Sequence, residues 1–173
     1  MKHVIISTLV GSLVMSAAAF AGSTVKDDVE IELKAKNRNA VTLSTGRNSM
    51  ANTGGVSLQN STMKDDVEIN VKSKNQNSST RSSGSNSMAT TGGMAVKNST
   101  IKDDVEVNIK SKNRNATTVS GGRNSVATTG GLAAKNSTIK DDVEINIKSK
   151  NQNAFTSSSG SSSSANTGGV VLK

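Results

Sequence analysis

Almost all acidic residues of this sequence lie in one motif, Lys-Asp-Asp-Val-Glu, which occurs four times at a constant spacing. Carboxylate oxygens presented on repeated loops are ligands that Ca²⁺ accepts. The paired aspartates are therefore candidate calcium ligands: Asp27, Asp28, Asp65, Asp66, Asp103, Asp104, Asp141 and Asp142. The alternative is that each pair forms a solvated turn, whose acids pair with neighbouring lysines and discourage unwanted edge pairing. The pattern predicts no other metal site and no cofactor.

Lysines recur at the same spacing, in pairs two residues apart. Residues two apart in an extended strand point to the same side, so the sequence predicts a basic stripe: Lys34, Lys36, Lys72, Lys74, Lys110, Lys112, Lys148 and Lys150. Such a stripe can bind DNA, anionic polysaccharide or lipopolysaccharide by counterion release, or it can simply keep the chain soluble. The chain has no Trp or Tyr and two Phe. Bases therefore have no platform to stack on, and we expect no sequence-specific nucleic-acid recognition.

Groups that could perform catalysis are nearly absent. The sequence has one His, His3, and no Cys, so a Ser–His or Cys–His nucleophile pair cannot be built in the rest of the chain. Acids that repeat identically on turns do not form the dehydrated carboxylate pair that acid–base catalysis requires. We predict that the protein is not an enzyme.

Residues 1–21 have the pattern of a secretory signal peptide. Lys2 supplies a positive charge, residues 4–15 are mostly apolar, and Ala19-Phe20-Ala21 is a small-residue cleavage site. The apolar stretch is shorter than a membrane-spanning helix, and no second one follows, so we predict no transmembrane anchor. The expected mature chain is residues 22–173, secreted to the cell surface or the extracellular space.

The remainder of the chain is an internal repeat with a period of 38 residues. Its units are 23–60, 61–98, 99–136 and 137–173, with no insertion between them. A period of this length is typical of solenoids, in which each unit packs on its neighbours. The sequence also has no Pro, the residue that a long hydrogen-bonded ladder of strands cannot accept.

Each unit begins with strict alternation of apolar and polar residues. In the fourth unit Val143, Ile145 and Ile147 would face one side, while Glu144 and Asn146 face the other. Alternation with a period of two predicts a half-buried strand. The predicted core and assembly positions are Val29, Ile31, Leu33, Val67, Ile69, Val71, Val105, Val107, Ile109, Val143, Ile145 and Ile147.

Recurring Asn, Gly and Asp residues mark turns, because they tolerate left-handed backbone conformations. They divide the first unit into four predicted strands, near 29–36, 40–45, 48–53 and 56–63. Stacked units would form an all-β solenoid with a narrow two-sided core. A unit could be one rung or two shorter rungs. One rung would place equivalent aspartates ~4.8 Å apart in a like-charge ladder, so we favour two.

The repeat resembles that of bacterial curlins, the subunits of curli fibres. The segments 106–116 and 144–154 are similar to the strand-turn-strand unit of a curlin repeat. Segments 46–51, 84–89 and 122–127 look like the curlin Gly-x-Asn-x-x-Ala turn with its following strand. The resemblance implies a secreted subunit that polymerises on a surface nucleator or minor subunit and supports adhesion and biofilm matrix.

The ends of the repeat array bear on function. Solenoids that stay monomeric have atypical caps, whereas here the last unit keeps its strand pattern through Val170 and Leu172. Open strand edges template the addition of another chain, so the leading prediction is a homopolymer that forms amyloid-like fibres. The alternative is a monomeric adhesin or matrix protein that binds anionic polysaccharide or calcium. An ice-binding solenoid is a third possibility, but Thr24, Thr62, Thr100 and Thr138 supply only one threonine row.

Overall fold

The computed structural model describes residues 2–7 and 18–173. Every helix or strand assigned in these residues is a β-strand. Among them there is no helix of the length and apolarity needed to cross a bilayer. The predicted signal peptide falls partly outside the described residues, at position 1 and positions 8–17, so its role stays a prediction.

The described strands follow one another in four coils, preceded by three strands. The preceding strands are β1 (Lys2–Ser7), β2 (Ala18–Ala21) and β3 (Thr24–Lys26). The first coil contains β4 (Val29–Arg38), β5 (Val41–Thr45), β6 (Met50–Thr53), β7 (Val56–Gln59) and β8 (Thr62–Lys64). The second contains β9 (Val67–Gln76), β10 (Ser79–Ser83), β11 (Met88–Thr91), β12 (Met94–Lys97) and β13 (Thr100–Lys102). The third contains β14 (Val105–Arg114), β15 (Thr117–Gly121), β16 (Val126–Thr129), β17 (Leu132–Lys135) and β18 (Thr138–Lys140). The fourth contains β19 (Val143–Gln152), β20 (Phe155–Ser159), β21 (Ser164–Thr167) and β22 (Val170–Leu172).

Equivalent strands of successive coils pair in parallel and form five sheets, numbered here in the order in which a coil crosses them. Sheet 1 is β1-β4-β9-β14-β19, sheet 2 is β5-β10-β15-β20, and sheet 3 is β6-β11-β16-β21. Sheet 4 is β2-β7-β12-β17-β22, and sheet 5 is β3-β8-β13-β18. The chain is therefore an all-β parallel solenoid, and the predicted fold class is confirmed.

Each repeat forms one large rung, and the expectation of two shorter rungs was wrong. Val67 pairs with Val29 on one side and with Val105 on the other, one full period away in each direction. Aspartates can stack at one strand spacing because the ladder of first aspartates is flanked by a lysine ladder. The lysine preceding each turn forms an ion pair with the first aspartate, as in Lys102–Asp103 at 2.7 Å.

Each complete coil has five strands, where four were predicted. The predicted strand at 56–63 is interrupted because Asn60 adopts a left-handed conformation, with φ of 52°. The chain bends there, and its two parts join sheets 4 and 5. Equivalent turns of successive coils also approach each other closely: a Cβ placed on Gly55, between β6 and β7, would overlap the carbonyl oxygen of Gly93 in the next coil. A residue without a side chain is needed at that turn.

Two apolar clusters form the interior. The first joins the inward side of sheet 1 to one face of sheet 4 and to sheet 5, and it contains Ile69, Leu58 and Ile101. The second contains Ala95 and Val126, from the other face of sheet 4 and from sheet 3. Sheet 4 is therefore buried on both faces, which the predicted two-sided core did not anticipate.

Polar side chains inside the solenoid bond along its axis. The Nδ2 of Asn75 donates to the Oδ1 of Asn113 at 2.8 Å, and this link recurs from coil to coil. Threonine hydroxyls of sheets 2 and 3 form a second chain, in which Thr91 contacts both Thr80 and Thr118 at 2.7 Å. Buried polar groups are stable only when they are hydrogen-bonded, and in-register stacking provides the partners.

Candidate functional site

The C-terminal face of the solenoid, formed by the fourth coil together with β18, presents strand edges that have no partner among the described residues. Strands β18 to β22 are each the last member of their sheet in the part of the chain that the structure describes. Apolar residues that are fully buried in inner coils are incompletely covered here: Ile109 is buried, whereas its partner Ile147 is only partly buried. Leu172 is 66% exposed. This face therefore exposes backbone hydrogen-bonding groups and apolar side chains that the inner coils bury.

One row on the outer side of sheet 2 is apolar only at its two ends. Its members, from the first coil to the fourth, are Val41, Ser79, Thr117 and Phe155. Val41 is 65% exposed and Phe155 is 59% exposed, while the members between them are polar. A single exposed apolar side chain is ordinary on a protein surface, but these two lie on β5 and β20, the two edge strands of sheet 2 among the described residues.

The face of the first coil is partly covered by residues that precede the repeat. Strand β1 pairs with β4 in register Lys2 to Val29, and β2 pairs with β7 in register Ala18 to Val56. Strands β5 and β6 are the first members of sheets 2 and 3 among the described residues. If residues 1–21 are cleaved as predicted, the edges of β4 and β7 become free as well.

The predicted core residues lie where the alternation placed them. In the first three coils the predicted positions are buried, and those of the fourth coil, Val143, Ile145 and Ile147, pack against the same cluster with partial exposure. Their intervening neighbours face outward, as in β14, where burial alternates strictly. The side that each residue of sheet 1 faces is therefore the predicted one.

The predicted basic stripe forms two parallel rows on the outer side of sheet 1. Lys34, Lys72, Lys110 and Lys148 are successive register partners, as are Lys36, Lys74, Lys112 and Lys150. All eight are exposed and line an open groove of about 1040 Å³. A hydrogen bond from Lys34 lowers the pKa of Glu32, and Lys72 lies 3.9 Å from the same carboxylate.

The candidate calcium ligands form two ladders along the solenoid. Asp27, Asp65, Asp103 and Asp141 each form an ion pair with the lysine before them, at 2.7–3.5 Å. The hydrogen bond from Lys102 lowers the pKa of Asp103 and raises that of Lys102. The second aspartates, Asp28, Asp66, Asp104 and Asp142, follow in the same turns. No group of three or more metal-ligating side chains occurs among residues 2–7 and 18–173. The first aspartate of each turn is thus held by a lysine, as the ion-paired alternative expects.

Two lysines, Lys97 and Lys135, are buried in the interior, and the sequence-based predictions did not include them. Each ammonium group donates to a main-chain carbonyl of a turn, Asn86 O for Lys97 and Asn124 O for Lys135. Burial, with a contribution from the positive charge of Lys135, lowers the pKa of Lys97 to about 8. Burial likewise lowers the pKa of Lys135, assisted by Lys173. Alternation could not predict that these lysines are buried. It places Lys97 and Lys135 on the face of sheet 4 opposite Val96 and Ala134, and a sheet with only one buried face would expose that side to solvent.

Fold and surface together define a parallel β-solenoid with an open coil face and one basic side. Comparison of the chain with protein-family models, with curated proteins and with solved structures gives no match.

Proposed function

We propose that this chain is a secreted structural subunit that stacks end to end into amyloid-like extracellular fibres, which support adhesion and biofilm matrix. The observation that supports the proposal best is the distribution of exposed apolar side chains. They lie in the first and fourth coils, and the equivalent positions in the inner coils are buried or polar, except Val119, which lies in the row of the exposed Leu43 and is half-buried. A second copy of the chain is the partner that covers both ends.

Such a copy would continue every sheet in its existing register. If β4 of the second copy pairs with β19 as β19 pairs with β14, Val29 meets Val143 and Leu33 meets Ile147. In sheet 2, Val41 of the second copy then lies beside Phe155, so the exposed apolar ends of that row cover each other. In sheet 4, Val56 and Leu58 meet Val170 and Leu172.

Polar ladders would also continue across this junction. Thr167 bonds to Thr156 at 2.9 Å, and in the inner coils the equivalent hydroxyl also bonds to the next coil. Thr42 of the second copy would supply that missing partner. The interior asparagine ladder would extend from Asn151 to Asn37. Backbone edges, apolar rows and polar ladders thus favour one and the same register.

The resemblance to curlins supports the same proposal, and it suggests a nucleator or minor subunit as the first partner. A nucleator that presents a matching coil face would remove the slow step of forming the first junction. Export depends on the predicted signal peptide at residues 1–21.

Intermolecular disulfides test both the assembly and its register. The chain has no Cys, so the double variant Val41→Cys with Phe155→Cys introduces two thiols on the predicted junction. Adjacent in-register positions fall within the range of ~4.4–6.8 Å between Cα atoms that a disulfide needs. Mild oxidation of residues 22–173 should therefore give a ladder of covalent oligomers. Negative-stain images of the unmodified chain should show fibres.

The matched control is Val41→Cys with Ser157→Cys. Ser157 lies on the outer side of sheet 2, two residues after Phe155 on β20. The thiols of neighbouring copies would therefore be out of register. This variant should give few covalent oligomers. Equal cross-linking of both double variants would contradict the register, and a monomer that persists for days at tens of micromolar would contradict the fibre.

A further inference from the structure

Eight lysines line the groove between the two lysine rows on the outer side of sheet 1. Its walls are the rows beginning at Lys34 and Lys36, and its floor includes the backbone at Ala35, Ser73 and Ser111. The Cα atoms of successive lysines within a row lie ~4.8 Å apart along the axis, because this is the spacing of paired strands. The rows lie ~6.5 Å apart, because they are two residues apart along each strand.

Acidic neighbours do not neutralise this groove in coils two to four. The glutamate row of sheet 1 lies on the same outer side, but a row of asparagines separates it from the lysines. Asn70, Asn108 and Asn146 each donate an amide hydrogen bond to the glutamate of their own strand, at 2.6–2.8 Å. Among the described residues, ion pairs from the groove lysines go only to Glu32, from Lys34 and Lys72.

Lysines stacked at one strand spacing repel one another, and a bound anion would remove that repulsion. Like charges at this spacing repel even in water, and among the described residues only Lys34 and Lys72 of the groove have an acidic partner, Glu32. A ligand with negative charges at the same spacing would turn each repulsive contact into an attractive one. The geometry thus favours a linear polyanion that runs parallel to the solenoid axis.

We infer that this groove binds a linear polysaccharide with a carboxylate on successive sugars. A pyranose ring linked through opposite positions advances its chain by a distance close to one strand spacing, so successive carboxylates can follow a lysine row. Duplex DNA fits less well, since phosphates along one strand advance by only ~3.4 Å. Single-stranded nucleic acid would need aromatic side chains for stacking, and Phe155, the only aromatic residue after Phe20, lies on sheet 2.

The inference does not depend on the proposed fibre. Eight lysines form the groove within one chain. In a fibre, Lys34 and Lys36 of a second copy would continue the rows beyond Lys148 and Lys150. Polymerisation would therefore lengthen the site and raise its affinity through multivalency.

The test is binding of polygalacturonate to the full chain, residues 1–173, immobilised at low density so that copies cannot stack. Removal of two central lysines by Lys110→Gln with Lys112→Gln should weaken binding roughly tenfold or more at 0.1 M salt, because two counterion-releasing contacts are lost. The slope of log affinity against log salt should fall by roughly 1.4, at ~0.7 per contact. The fully methyl-esterified polymer has the same sugars without charge and should not bind.

The matched control is Lys64→Gln with Lys102→Gln, which removes the same charge from the lysine ladder of sheet 5. These lysines form ion pairs with Asp65 and Asp103, so their loss should weaken binding less than threefold. Equal losses for the two double variants would overturn the groove and leave only net charge. Tighter binding of single-stranded DNA than of polygalacturonate would overturn the choice of ligand. Circular dichroism confirms folding of each variant, and the assembly of Lys110→Gln with Lys112→Gln into fibres separates failure of the groove from failure of the fibre.

Discussion

Ile109 and Ile147 offer a direct comparison between stability of the folded chain and stability of the proposed junction. They are register partners on adjacent strands of sheet 1, with the same side chain facing the same cluster. Ile109 is covered by coils on both sides and is 0% exposed, whereas Ile147 is covered on one side only. The same substitution to Ala should therefore act on different equilibria.

Ile109→Ala should destabilise the folded chain by about 2–5 kcal/mol, the cost of truncating a fully buried Ile and leaving a cavity. Ile147→Ala should cost roughly half as much in the free chain, because half of its contacts are already missing. In the fibre the other half would be made with the second copy. Its loss, about 1.4 kcal/mol or somewhat more, corresponds to roughly a tenfold rise in the critical concentration for assembly.

Urea unfolding of unassembled chain measures the first quantity, and the soluble concentration left at equilibrium with fibres measures the second. We expect Ile109→Ala to lower the free energy of unfolding strongly while the critical concentration stays within about twofold. Ile147→Ala should lower the free energy of unfolding about half as much and raise the critical concentration roughly tenfold. If Ile147→Ala destabilises the free chain as much as Ile109→Ala and leaves the critical concentration unchanged, the fourth coil is not the assembly face.

Three further predictions concern processing, pH and ionic conditions. Residues 22–173 should form fibres after a shorter lag than residues 1–173 in a thioflavin assay, because β1 and β2 occupy the edges of β4 and β7; equal lags would show that these strands do not block the face. Unfolding free energy should rise between about pH 8 and pH 10, since the pKa of Lys97 is about 8 when folded and 10.5 otherwise, so the unfolded chain binds more protons in that range. The gain should be roughly 1–3 kcal/mol, and Lys97→Gln, which matches Gln59 of the first coil, should remove most of it; an unchanged pH slope would mean that Lys97 is solvated. Assembly should accelerate with NaCl, because the full chain has a net charge of +8 and salt screens repulsion between copies, and Ca²⁺ at matched ionic strength should add nothing unless the aspartates are ligands.

The sequence by itself determined the features that depend on neighbouring residues and on the repeat. Alternation fixes which side each residue of a strand faces, so Ile109 inside and Lys110 outside follow from the pattern alone. A constant period requires equivalent residues to stack, and the two lysine rows follow from that. Asn, Asp and Gly at recurring positions placed the turns to within a few residues.

The tertiary structure decided the features that depend on how many residues make up one coil of the solenoid. The number of rungs per repeat is not a local property of the sequence. Repulsion between stacked aspartates suggested two rungs, but a lysine neutralises each first aspartate, as Lys102 does for Asp103. Burial of Lys97 depends on sheet 3 packing against the second face of sheet 4, a contact between residues that alternation treats as solvated. Val41 and Phe155 are far apart in the sequence. The register of the strands shows that they are the two ends of one row on sheet 2.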